Sequence, residues 1–562
     1  MESETELLTA GHFSAVDRCT GAVRFLPYLT IGIVGVLAHG LLLISDTRIW
    51  DGWLIENWIR EGHWDYLRRF FSEVGMPIHF FIHRPFGIWP NPNLAYKVFS
   101  FCCIVSSGLL TFQVLKASRF VGTNEALLTA VIAMTFPGIQ TAGEGSVFPY
   151  LFCYTLFLLG SWIALRAEGM PLGKHIPARI AACVFFFISF DTNSLLVYYL
   201  GFFLLLVLSE QRRRGRSWFQ IPWDFLWKRA DYFVLPFVFW EWKQRFTPRH
   251  GFYSDYNTPH FSGAGCLSGF KRLIEVVIVP PFVEPVIAVF VVVTIVLVLA
   301  WFRPVPAGRL LSSQTNTFAL GLFGILLLVF GAFPYIAVRQ RFVSHGWGTN
   351  YSLLIPLPLA LLTLTAVRFL FRHPKLRAST LLLPLFVTLI AGFVLQWVQN
   401  YVAWQAMGVK ERSVFYHLLK IPGARNYSVL EIRNEFIIPK TLNWYPPSVW
   451  TYQFASAFGD AKRLVFEKPQ GNPAPHPQPY TPSEIKEMIV ATTVPYALEE
   501  IDPQGQQAIL TIRQGPLQQT PVQLALHYWL YRFVQPSKLE NFLNQITQIE
   551  LLPLEMNLIE SP

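Results

Sequence analysis

"SDTRIWDGWLIENWIREGHWDYLRRFFSEV", Ser45 to Val74, follows directly on the first long apolar run of the chain, Leu29–Ile44. It carries too many charges to be a second membrane span, and its four tryptophans are more than a plain solvated loop needs. Wound as a helix from Asp51, it brings Leu54, Trp58, Tyr66, Phe70 and Val74 close to one stripe, with Ile55, Ile59 and Leu67 beside them. Arg60, Glu61, Asp65, Arg68, Arg69 and Glu73 fill the other face. The pattern predicts an amphipathic helix lying in the membrane interface, its rings at headgroup level. Asp51 is placed to cap this helix, and Gly52 allows another group to approach closely.

The rest of the chain supplies the membrane. Of 562 residues, 52% are hydrophobic and only 14% charged, and the mean hydropathy is +0.37. Soluble domains carry about a quarter charged residues, so the composition is that of a polytopic membrane protein. Apolar runs predict about eleven spans: 27–45, 95–115, 124–141, 148–165, 178–190, 194–208, 231–242, 275–301, 317–337, 351–371 and 379–401. The polar, acidic start of Met1–Leu26 does not read as a cleavable signal, so the first span is expected to be retained.

Basic clusters set the orientation. Lys116 and Arg119, then Arg166, Lys174 and Arg179, then the run from Arg212 to Arg229, and lastly Arg368 to Arg377 fall on alternate loops. The positive-inside rule puts these loops and the N-terminus inside. The net charge of +10 is therefore explained by topology and gives no reason to invoke nucleic acid. Six cysteines show no zinc-type spacing with histidine and read as apolar fillers.

The predicted architecture is thus an all-α membrane domain over 1–401, with its elaborate outer loop at 46–94, and a small α+β extracytoplasmic domain over 402–562. In the latter, "QAILTIRQG" reads as a strand, whereas "TPVQLALHYWLYRFV" and "SKLENFLNQITQIELL" have helical apolar spacing. The stretch Glu467–Pro482 is Pro-rich and reads as a linker.

The layout, with a first span followed by an outward, aspartate-bearing loop of juxtamembrane helices, resembles the GT-C superfamily of integral-membrane glycosyltransferases. "WDGWLIENWIREGH" is similar to the Asp-Gly-aromatic stretch after the first span of bacterial oligosaccharyltransferases. "SDTRIW…GHW" is similar to the Asp-Glu…Gly-x-Trp pattern of lipid A aminoarabinose transferases and protein O-mannosyltransferases, but Thr47 stands where an acid would follow Asp46. The resemblance implies transfer of a sugar from a polyprenyl-phosphate donor to a glycan, lipid or protein acceptor, at the outer face of a multi-pass membrane protein such as one of the bacterial inner membrane. It makes Asp51 the first candidate for the general base and Asp46 the second. It also points to Glu144, the one acid of "FPGIQTAGEGSVFPY", as a residue that binds metal or acceptor. The alternative for Glu144 is a solvated loop carboxylate.

Such chemistry needs a base at the acceptor hydroxyl, and positive charge or a metal at the departing phosphate. A divalent cation such as magnesium or manganese is the cofactor that would fill the second role, with no ligand set evident. Arg339, Arg341 and His345 lie on an outer loop against the charge rule, and an arginine pair there suits a lipid phosphate. Snorkelling headgroup anchors are the plainer reading. The outer loop with Arg245, Arg249 and Tyr256 suits a substrate clamp or lid, and Asp191 either caps the following helix or faces the cavity. No P-loop, GxSxG, HExxH or CxxC motif occurs. A transporter of lipid-linked sugar and a non-enzymatic polysaccharide-assembly protein are the competing classes; transporters place their charges at the midplane of broken helices, whereas here they gather in loops.

Overall fold

A computed structural model describes residues 25–214, 229–283, 316–373, 381–439, 447–459, 462–467, 479–491 and 501–554, apart from Gly169, Tyr256, Phe261 and Pro374, with a few isolated residues between these stretches. Among the described residues six helices are long and apolar enough to cross a membrane: Phe25–Leu43, Pro92–Ser118, Phe148–Ala167, Asn193–Gln211, Thr317–Ala337 and Leu382–Leu418. The first turns Phe25, Leu29, Ile33, Val36 and Leu37 outward, as a helix facing lipid does.

The expectation of about eleven spans is not met in this form. Thr123–Thr135, Leu172–Ser189, Ala230–Phe246 and Pro356–Leu370 are helical but shorter or less apolar than a full span. The helix from Thr123 ends before Phe136 and Pro137, because a residue preceding proline is driven out of the helical region. Of the span expected at 275–301, the described residues form a π turn, Ile274–Ile278, and a short helix, Pro280–Val283. The remainder lies outside the described residues.

The last spanning helix runs unbroken for 37 residues. At 1.5 Å per residue this is about 55 Å, against roughly 30 Å of hydrocarbon. Its C-terminal turns therefore stand clear of a bilayer, and the boundary expected at 401/402 falls within one continuous helix. These turns are walled by Pro521–Phe533, Leu539–Ile546 and the last strand.

The C-terminal region is a four-stranded mixed sheet with helices. β1 (Tyr427–Asn434) lies between β2 (Leu464–Glu467) and β3 (Gln506–Gln514), parallel to both, and β4 (Thr547–Leu554) closes the far edge antiparallel to β3. The central strand buries Val429, Leu430, Glu431 and Ile432 in succession, as a parallel strand covered on both faces must. Edge strand β4 alternates instead. "SKLENFLNQITQIELL", expected to be helical throughout, changes at Thr547 from helix to strand, because β3 offers an open edge there.

The opening stretch forms two helices, Gly52–Glu61 and Trp64–Val74, separated by Gly62 in the left-handed region at φ 77°. The first does not lie in the membrane interface. Every residue from Gly52 to Ile59 is buried in protein. Trp58 packs edge-on against Tyr452 and Phe70, each with ring centroids 5.9 Å apart, and Trp53 against Phe415 at 6.3 Å. The C-terminal region supplies the apolar partner that the sequence pattern assigned to lipid. Exposed apolar residues of this loop cluster later, at Phe81, Ile88 and Trp89, just before the second span.

Candidate functional site

The turn that carries Asp51 is held from three sides. Behind it, Lys97 of the second span donates to the Thr47 carbonyl at 2.7 Å, and Asn93 to the Asp46 carbonyl at 3.0 Å. Thr47 Oγ1 donates to the Trp404 carbonyl on the long helix. Above it, the Glu144 carboxylate accepts the Ile49 N–H at 2.5 Å and the Gly145 N–H at 2.9 Å. In front, Trp50 stacks on Trp347 at 6.3 Å and 10°. Trp50 sits at φ 52°, a strained position for a bulky residue, and this aims the next side chain.

That next side chain is Asp51. It precedes the helix Gly52–Glu61 but does not cap it, since its carboxylate makes no hydrogen bond to the helix N–H groups. Half-buried, it makes no hydrogen bond or ion pair among the described residues. Burial alone pushes it up to about 7.

Glu144 is not a solvated loop acid. The whole segment 141–149 is buried. Burial raises this carboxyl above the ordinary range, opposed by Lys97 and by the two N–H groups. Its nearest neighbour explains Gly52, where a Cβ would stand 1.4 Å from Glu144 Oε1.

Asp46 is committed elsewhere. Its carboxylate takes Arg412 at 2.5 Å, Tyr528 at 2.7 Å, Arg532 at 3.0 Å and Gln405 at 3.0 Å. Burial works to raise its pKa, but Arg412, Tyr528, Arg532 and Gln405 together hold it below the usual value. With its lone pairs so filled, Asp46 is a junction between the first loop, the long helix and the C-terminal helix Pro521–Phe533, and is poorly placed to take a proton.

Asp191 is fully buried and caps a helix, though not its own. Its Oδ2 accepts the His79 N–H at 3.2 Å, in the first turn of Pro77–His83, where Met76 offers no side-chain cap. Burial pushes Asp191 up to about 7, opposed by Lys243 and by the N–H groups of His79 and Ile78.

Arg339 and Arg341 are exposed and make no ion pair among the described residues. They precede Trp347 on the same loop, so the Trp50–Trp347 stack joins their loop to the turn bearing Asp51. His345 lies between, against Gln140 at 3.1 Å. Arg245 is exposed and pairs with Glu241 one turn back. Arg249 packs on Gly75, and the His250 N–H donates to the Glu73 carbonyl, so this stretch is docked on the helix Trp64–Val74. Tyr256 lies outside the described residues.

Lys97, Arg412, Tyr528 and Arg532 were not legible as site residues. Lys97 gave a signal, being a lone cation near the start of an apolar span. The other three lie hundreds of residues from Asp46 in sequence. Among the described residues no group of three His, Cys, Asp or Glu side chains could hold a metal ion. The oxygens of Asp46 and Glu144 are taken up by cations and N–H groups, so this donor set does not fit a divalent cation. No protein-family model matches the chain, and no curated protein matches it.

Proposed function

We propose that this protein is an outward-facing membrane glycosyltransferase of the GT-C type, with Asp51 as its general base. One observation carries the reading: a half-buried carboxylate without a partner, tuned to about 7, presented by a strained turn at one end of a membrane bundle. A base works best when its pKa lies near the operating pH and its lone pairs are free.

In the proposed step Asp51 takes the proton of an acceptor hydroxyl as that oxygen forms its bond to the anomeric carbon. The bond from that carbon to the polyprenyl phosphate breaks, and the phosphate leaves with the electron pair. Attack opposite the leaving group inverts the sugar. Arg339 and Arg341 suit the phosphate, since among the described residues their guanidinium forks have no carboxylate to satisfy. Glu144 and Asp46 hold the turn.

The test is transfer from a lipid-linked sugar by purified protein. Asp51→Asn should lose roughly 10²–10⁴-fold in rate, the usual worth of a positioned base. Arg341→Gln should weaken donor binding and leave the maximal rate largely intact. An active Asp51→Asn variant would remove Asp51 from the mechanism. The sidedness is tested by a cysteine at Ser483, an exposed position, which should react with an impermeant maleimide in intact spheroplasts.

A further inference from the structure

The loop 136–147 has two ends with different work. Glu144 at one end grips the Asp51 turn, whereas Gln140 at the other lines a cleft with Gln396, Gln399 and Asn400 of the long helix, His345 and Trp397. A second cleft adjoins this one, sharing Gln140, His345 and Gln396. Among the described residues no Asp, Glu, Lys or Arg lines either one. Three amides within five residues, Gln396, Gln399 and Asn400, are unusual in a membrane span, where an unmatched polar group is costly.

The hydrogen bonds of these amides are lopsided. Gln140 Nε2 donates to the Ser344 carbonyl at 2.7 Å, Asn400 Nδ2 to the Gln140 carbonyl at 3.0 Å, and Gln396 Nε2 to the Pro281 carbonyl at 2.8 Å. The side-chain oxygens of Gln140, Gln396 and Asn400 accept from nothing among the described residues, and Gln140 Oε1 is buried in that condition. A ligand matching this wall must donate hydrogen bonds and carry no charge. Among the described residues an anion would find acceptors and no cation, and a cation would find no carboxylate. Trp397 also lines the cleft, almost wholly buried and stacked on Tyr401 at 5.4 Å and 24°, its indole N–H fixed on the Thr135 carbonyl at 2.9 Å.

We infer that the amide cleft binds a neutral sugar, its hydroxyls donating to Gln140, Gln396 and Asn400. The assignment deepens the transferase reading and rests on it for the ligand's role, while the chemistry of the wall stands apart from it. Neutral hexosides should therefore bind in preference to their uronic acid and phosphate counterparts.

The test uses the full chain in phosphatidylcholine nanodiscs, free of sugar detergents, and saturation-transfer NMR. The probes are methyl glucoside, methyl mannoside, methyl galactoside and methyl N-acetylglucosaminide, with glucuronate and glucose 1-phosphate as anionic controls. At least one hexoside should bind in the millimolar range, and Gln396→Met, which keeps shape but loses the acceptor, should weaken it about tenfold. Asn400→Leu is the second variant. Equal binding of the anions, no hexoside binding, or affinity unchanged in both variants would overturn the assignment. Hexoside binding that persists in a protein without transfer activity would keep the cleft and discard the transferase.

Discussion

Glu144 occupies the space over Gly52 that any other residue would need for its own side chain. A Cβ at position 52 would stand 1.4 Å from Glu144 Oε1, the same carboxylate whose other oxygen holds the Ile49 N–H. Gly52→Ala must push that carboxylate aside, at a cost of about 1–3 kcal/mol for overpacking. With Glu144→Ala the collision disappears, so the double variant should be no less stable than Glu144→Ala alone. Thermal unfolding of the four proteins measures this, and additive losses would show the two residues to be independent.

Asp51 should set the pH dependence of transfer. As the proposed base it would act only when ionised, so activity should rise with pH through about 7. Its effect on stability runs the other way. Burial raises the folded-state pKa above the unfolded value of 3.8, so the contribution is present below that value and is lost as pH rises through about 7. Asp51→Asn removes this dependence. The variant should therefore gain in Tm relative to the native protein between pH 5 and pH 8, and a constant difference would contradict the buried, unpaired carboxylate.

Asp46 ties the C-terminal region to the membrane domain. Asp46→Ala leaves Arg412 and Arg532 without their shared counter-charge. Both arginines are partly exposed and can rehydrate, so the loss should be modest, about 1–3 kcal/mol. Limited trypsin digestion should release the C-terminal region faster. Because the Asp46 pKa is lowered on folding, its contribution is present above the unfolded value and fades as pH falls through the folded one. The gap between native and variant should accordingly narrow in acid.

Asp191 offers a cleaner separation of cap from charge. Asparagine retains an oxygen for the His79 N–H, so Asp191→Asn should be nearly silent in thermal unfolding. Asp191→Ala loses the acceptor and should cost about 1 kcal/mol. Equal losses in both would mean that the carboxylate charge near Lys243, rather than the cap, is what the fold uses.

The sequence determined what local chemistry decides. Long apolar runs could only become helices, since a bilayer leaves backbone groups no other partner. The Gly-Trp-Leu-Ile stretch after Asp51 was legible as a helix, and "QAILTIRQG" as a strand, from periodicity alone. What periodicity cannot name is the partner of an apolar face. Trp53 and Trp58 look the same whether they meet lipid or Phe415 and Tyr452, and only the tertiary structure chose the latter. The same holds for the acids. Asp46 and Asp51 are alike in sequence, five residues apart. The difference between them comes from Arg412, Tyr528 and Arg532, which arrive from more than 360 residues away and fill the lone pairs of one aspartate while leaving the other open.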